Sequence, residues 1–164
     1  MAARKIRLRA PRPGDLGWIV ERHGELYARE FGWGERFEGL VASVVAKFAA
    51  HHDARRERCW IAELGGRRVG SVMLVKKSAR VAQLRLLLVE PEARGRGVGE
   101  RLVSACIAEG RRRGYAKLVL WTQANLKSAR RIYQGLGFRL ARKTPHAEFG
   151  VRLTGEYWEL PLGP

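Results

Sequence analysis

The chain has 164 residues, 46% of them hydrophobic, and 32 Lys and Arg against 16 Asp and Glu, a formal net charge of +16. That length supports one domain with a sizeable core, and the apolar content excludes a chain disordered throughout. No apolar run approaches the ~20 residues of a membrane span.

The N-terminal stretch MAARKIRLRAPRPGD has no apolar leader core. Cys59 and Cys106 have no partner spacing of a metal site or of a C-x-x-C motif. Two such thiols suit a reducing compartment, so a cytoplasmic location is expected. The charge would attract nucleic acid or other polyanions without any specific site. The arginines are spread, however. Arg55-Arg56, Arg67-Arg68, Arg111-Arg112-Arg113 and Arg130-Arg131 fall in different predicted elements. This reads as a solvated, arginine-biased surface, with nucleic acid bound non-specifically if at all.

In chain order, Lys5 to Arg9 alternates Ile6 and Leu8 and predicts a strand. Pro13-Gly14-Asp15 is a turn, with Asp15 the expected N-cap of a helix from Leu16 to about Glu30. On that helix His23, Tyr27 and Glu30 are spaced by four and three and share a face. Gly32-Trp33-Gly34 breaks it. A second helix runs from Glu35 to about His51, with Phe37, Leu40, Val41, Val44, Val45 and Phe48 at helical spacing. His51-His52 ends it in solvent. Arg58 to Glu63 and Arg68 to Val75 are strands joined at Gly65-Gly66, a hairpin signal. Val81 to Val89 is the next strand.

The segment LRLLLVEPEARGRGVG, Leu84 to Gly99, then reads as strand, Pro-containing turn, glycine-rich loop and helix N-terminus. A helix N-terminus leaves backbone N–H groups without partners, and with the dipole these make an anion site. Gly95, Gly97 and Gly99 let backbone approach a ligand, and Arg94 and Arg96 add charged donors. The loop is suited to a pyrophosphate. It lacks the Gly-Lys pair of a P-loop. It fits a dinucleotide fingerprint poorly, because the third glycine would fall at Glu100 and the following strand end, Val119-Leu120-Trp121, carries no acid. The pattern R-x-x-G-x-G after a strand is met by Arg94, Gly97 and Gly99. The helix continues to about Arg113, with Val98, Leu102, Ala105 and Cys106 on one face, and Gly114 terminates it.

A strand over 117–121 follows, then a helix over 126–135 with Asn125 as its expected N-cap. Two strands, about 138–143 and 151–160, complete the chain. Within this block Ala129 stands four before Tyr133, and Gly137-Phe138 opens a strand.

Taken together, the Arg94–Gly99 loop and the Ala129, Tyr133, Gly137-Phe138 block resemble the GNAT superfamily of N-acetyltransferases. The two blocks span about a third of the chain, from Leu84 to Phe138. HGELYAREFGW (His23 to Trp33), the RCWIAE strand and TPHAEFGVRLTGEYWEL are similar to the acetyltransferase half of fusions with a MarR-type DNA-binding domain. The chain reads as that half standing alone, a single domain over 1–164.

The resemblance implies an α+β fold. A central, mostly antiparallel, twisted sheet is flanked by helices, and two central strands part in a V-shaped gap for the cofactor. It implies acetyl-CoA as co-substrate and no metal. It places backbone of Leu87, Leu88 and Val89 against the thioester, and Arg94, Gly95, Arg96, Gly97, Val98 and Gly99 at the pyrophosphate. Asn125, Ser128 and Tyr133 are the further cofactor contacts. The family's usual Asn lies seven before the Tyr, where this chain has Leu126, with Asn125 one earlier. Tyr133 is the candidate acid for the leaving thiolate.

His23, Tyr27 and Glu30 are the candidate acceptor contacts, with His146 and Glu148 as second candidates. Trp33, Trp121, Trp158 and Phe149 suit either an aromatic pocket or the core. The function implied is direct, acetyl-CoA-dependent transfer to a primary amine of a small molecule or peptide, since no Cys–His nucleophile pair is visible. The competing reading is an acyl-CoA sensor or a basic nucleic-acid-docking module without turnover. A homodimer is left open.

Overall fold

A computed structural model describes residues 4–163. The elements are β1 (Ile6–Arg9), α1 (Asp15–Phe31), α2 (Glu35–His51), β2 (Arg58–Leu64), β3 (Arg67–Lys76) and β4 (Val81–Val89). A single 3₁₀ turn at Pro91–Ala93 leads to α3 (Val98–Arg112), β5 (Lys117–Gln123), α4 (Lys127–Gly135), β6 (Arg139–His146) and β7 (Leu153–Pro161). The strands form one seven-stranded sheet in the order β1-β2-β3-β4-β5-β7-β6. Every neighbouring pair is antiparallel except β4 and β5. A parallel pair needs a long crossover, and α3 supplies it.

Strand alternation gives the sheet two apolar faces. On β2, Trp60, Ala62 and Leu64 join one buried cluster while Cys59 and Ile61 join the other. The first cluster packs under α3 and α4 through Val98, Leu102, Cys106 and Tyr133. The second packs under α1 and α2 through Ile19, Val41, Val45 and Phe48. Each fully buried aliphatic side chain contributes about 1.5–3 kcal/mol, so the two helical layers fix the sheet from both sides.

The fold class is the one the resemblance implied, and the element order follows the sequence reading. Three local expectations change. Gly14, not Asp15, is the N-cap of α1. The Asp15 carboxylate is buried and turns back to the Arg12 N–H (2.6 Å), Arg9 (2.6 Å) and Arg68 (3.1 Å). These partners hold its pKa at about 2, against the desolvation that would raise it. Leu126, not Asn125, is the N-cap of α4, and no side chain caps that helix. β6 runs to His146, past the expected end at 143, because it pairs with β7 as far as His146↔Leu153. It is an outer strand, exposed almost throughout, so it accommodates Pro145.

Candidate active site

The site begins where the sheet divides. β4 and β5 pair from Val81↔Lys117 to Leu84↔Leu120 and then separate. β4 continues to Val89 against β3 alone, and β5 continues to Gln123 against β7 alone. At the parting point β4 carries one extra residue relative to β3, which bends the strand. Leu86 there adopts φ 54, a left-handed backbone that costs a non-glycine residue of order 1 kcal/mol. Its carbonyl accepts from the Ser71 hydroxyl at 3.1 Å.

The opening holds a cavity of about 530 Å³ between the end of β4, the start of α3 and the start of α4. Its floor includes Leu87, Leu88 and Val89. Gly95 and Gly97 take φ 74 and 79, and a Cβ built on either would meet no atom within 4 Å, so backbone there is bare. Gly97 is the N-cap of α3, and no side chain covers the first N–H groups of that helix. Gly99 serves differently. A Cβ on it would lie 2.7 Å from Ile132 Cδ1, so glycine lets α4 sit close to α3.

An inner pocket of about 100 Å³ lies deeper in the division, and Tyr27, Leu87, Leu126 and Ala129 border both spaces. The inner pocket is lined from α1 by His23, from β4 by Gln83 and Arg85, from β5 by Trp121 and Gln123, and from α4 by Tyr133. A part-buried ion pair fixes α4 one turn before Tyr133: Arg130 Nε donates to Glu156 Oε1 at 2.8 Å, and Glu156 is fully buried on β7.

The sequence model of the acetyltransferase (GNAT) family matches residues 15–138. The chain belongs to that family. It is 38% identical over 92 residues to N-acetyltransferase family 8 member 2 of Rattus norvegicus, covering 53% of this chain and 39% of that protein. It is 31% identical over 86 residues to an uncharacterized N-acetyltransferase of Methanocaldococcus jannaschii, covering 48% of this chain and 38% of that one. The matches thus span about two fifths of these relatives' length. In fold it is similar to an acetyltransferase from Salmonella typhimurium solved with its cofactor acetyl-CoA, with TM-score 0.77, 19% identity, and 98% and 95% of the two chains covered. The ribosomal-protein-S18-alanine N-acetyltransferase of Escherichia coli gives TM-score 0.71 at 22% identity, covering 98% and 96%.

In this GNAT-family domain most of the residues expected at the cofactor lie around the outer cavity. Leu87, Leu88, Val89, Arg94, Gly95, Gly97, Val98, Gly99, Asn125 and Ser128 line it. Arg96 does not, and Tyr133 lines the inner pocket instead. The His23, Tyr27, Glu30 face divides between the two spaces. Glu30 lines the outer cavity and pairs with Arg94 at 2.7 Å. Tyr27 lies between, its hydroxyl donating to the Leu87 carbonyl at 3.4 Å. Burial pushes the Tyr27 phenol up to about 12.

His23 stacks on Tyr27 with ring centroids 5.7 Å apart. Its Nδ1 is bonded to the Ile19 carbonyl at 2.7 Å, so Nδ1 carries the proton and Nε2 is left without a partner. Burial lowers its pKa to about 4, so the ring is neutral at pH 7 and too weak a base to deprotonate an alkylammonium there. His146 is taken up by Gln123 Oε1 at 2.7 Å. Trp33 and Phe149 belong to the core under α2, and Trp158 to the core under α4. Trp121 alone of the four aromatic candidates lines the inner pocket.

Arg85, Gln123 and Glu156 were not singled out from the sequence. The signal for the first was present: in LRLLLV a charged side chain interrupts an apolar strand. Cys59 and Cys106 are buried, and neither lines the outer cavity or the inner pocket. Among the described residues no cluster of three His, Cys, Asp or Glu could hold a metal. No helix among them is long and apolar enough to cross a membrane.

Proposed function

We propose that this domain transfers the acetyl group of acetyl-CoA directly to a primary amine. The observation that carries the reading is the division of β4 from β5 beside the uncovered N-terminus of α3. The unpaired N–H groups of α3, the bare backbone at Gly95 and Gly97, and Arg94 suit a pyrophosphate. Asn125, just before α4, and Ser128, in its first turn, border the same cavity. Acetyl-CoA bound there supplies a thioester carbonyl and a thiolate leaving group.

The chain's residues then have distinct tasks. Backbone N–H groups within Leu87 to Val89 that point away from β3, such as that of Val89, lie on an edge of β4 that no strand covers and hold and polarise the carbonyl oxygen. The Tyr133 hydroxyl stabilises the departing sulfur. Burial raises its pKa above the ordinary tyrosine value, so it carries its proton at every working pH. Neither cysteine borders the cleft, which supports direct transfer over an acyl-enzyme.

Calorimetry on Gly97→Asp and Gly97→Asn tests the donor site. Both variants load the same left-handed backbone, but only aspartate places a negative charge at the phosphates. Acetyl-CoA affinity should fall about ten-fold or more in Gly97→Asp relative to Gly97→Asn, of the order of one lost charge-assisted contact. Equal affinities would remove the pyrophosphate assignment. Thiol release from acetyl-CoA across an amine panel tests turnover itself.

A further inference from the structure

The inner pocket has an unusual charge balance. Arg85 is its one cationic side chain among the described residues, and no Asp or Glu lines it. No ion pair and no side-chain hydrogen bond perturbs the Arg85 guanidinium among the described residues. Burial alone acts on it, lowering its pKa from the ordinary arginine value. This contrasts with Arg9, Arg22, Arg94, Arg113 and Arg130, each of which is ion-paired. A half-buried arginine left unpaired within a ligand pocket is a charge waiting for an anion.

Two further features bear on the same space. Gln123 is buried and its orientation is set, because its Oε1 accepts from His146 Nε2 at 2.7 Å. That bond directs the amide oxygen to His146, so the Gln123 amide N–H groups face away from that ring. The volume, about 100 Å³, matches a small molecule and not a folded chain segment.

We propose that Arg85 receives the carboxylate of a small amino-acid acceptor, so that this pocket selects amines that carry their own anion. The inference rests on the acetyl-transfer reading and names the acceptor class for it. An acceptor with only cationic groups, such as a polyamine, meets an unpaired guanidinium and no counter-charge, and is repelled. An amino acid instead neutralises Arg85 with its carboxylate through a bidentate, charge-assisted pair. Once that pair forms, the pocket offers the ammonium group no second carboxylate. The low-polarity walls of Tyr27, Leu86 and Trp121 then favour its neutral, nucleophilic form, one proton passing to solvent. As the nitrogen bonds to the thioester carbon the C–S bond breaks, and a second N–H proton leaves with the sulfur as the coenzyme A thiol.

The test uses the whole chain and matched sets of three acceptors: a free amino acid, its carboxamide and its decarboxylated amine. Thiol release from acetyl-CoA is followed for each. The amino acid should exceed both partners in kcat/KM by about ten-fold or more, the size expected of a charged hydrogen-bonded contact. In Arg85→Gln that preference should fall to near unity through the acceptor KM, with the KM for acetyl-CoA unmoved. Arg85→Lys should retain part of it.

A wild-type protein that uses the amide or the bare amine as well as the amino acid overturns the proposal. So does an Arg85→Gln variant that keeps the preference. If Arg85→Gln fails to melt cooperatively, the wild-type ratio and Arg85→Lys decide. Turnover of amines regardless of a carboxylate defeats only this inference. Thiol release with no amine at all defeats the acetyl-transfer reading and this proposal with it.

Discussion

Tyr133 is held on α4 with its ring buried against Phe138, centroids 5.6 Å apart. Tyr133→Phe keeps that packing and deletes one hydroxyl. If the hydroxyl acts only as the sulfur departs, kcat falls while acetyl-CoA affinity holds. The expected loss is about 10²-fold, the lower end of acid catalysis, because a raised pKa makes a phenol a better hydrogen-bond donor than proton donor. Steady-state kinetics beside a binding isotherm separates the two effects. An unchanged kcat makes Tyr133 a packing residue. His23 is the contrasting case: the sequence offers it as an acceptor contact, and the fold turns its Nδ1 onto its own helix and lowers its pKa to about 4. Helical spacing placed it on the right face but carries no information on depth.

At the level of elements, the bend in β4 depends on its neighbours. Gly70 of β3 faces it so closely that an added Cβ would lie 2.7 Å from the Leu88 carbonyl oxygen and 3.1 Å from Leu102 Cδ1. The first of these is backbone and cannot rotate aside. Gly70→Ala must push β4 toward the cleft or α3 off the sheet, at a cost of about 2–3 kcal/mol. Calorimetry should show Tm lower by roughly 4–12 °C. Acetyl-CoA affinity should fall as well, since Leu88 lines the cavity. A variant with wild-type Tm would mean that β4 yields there at no cost.

The same elements show what was legible. The strand, glycine-rich loop and helix start around Arg94 to Gly99 were readable because glycines and a helix N-terminus carry local geometry, whereas the α4 block was read through its resemblance to the GNAT family. Asp15 was not. Proximity to the start of α1 suggests a cap, but Arg9 and Arg68 reach it from two strands, and a charge-assisted pair outweighs a neutral cap bond. The bulge at Leu86 was equally hidden, since an extra residue in β4 has meaning only against the register of β3.

Across the whole molecule the arginine excess is divided between structure and surface. Arg9, Arg113 and Arg130 pair with Asp15 and Glu63, Glu109 and Glu156, all part-buried or buried carboxylates. Arg139, Arg142 and Lys143 lie on β6, where charge discourages pairing of the outer strand with another chain. The sequence reading of a spread, solvated surface thus covers one part of the charge, and ion pairs between elements account for another. Those pairs join residues as far apart as Arg22 and Glu90, which no local pattern could reveal.

The two buried thiols have a consequence for reactivity. Cys59 is 2% exposed and burial pushes its pKa to about 12, while Cys106 is wholly buried and its thiol is likewise held well above the ordinary value by burial. Neither is available as a thiolate at neutral pH. A colorimetric thiol reagent added to the native protein should therefore find no reactive sulfur, and in denaturant it should find two per chain. Coenzyme A thiol would then develop colour against a dark protein. Any slow colour from the protein alone becomes a stopwatch for the opening of its core.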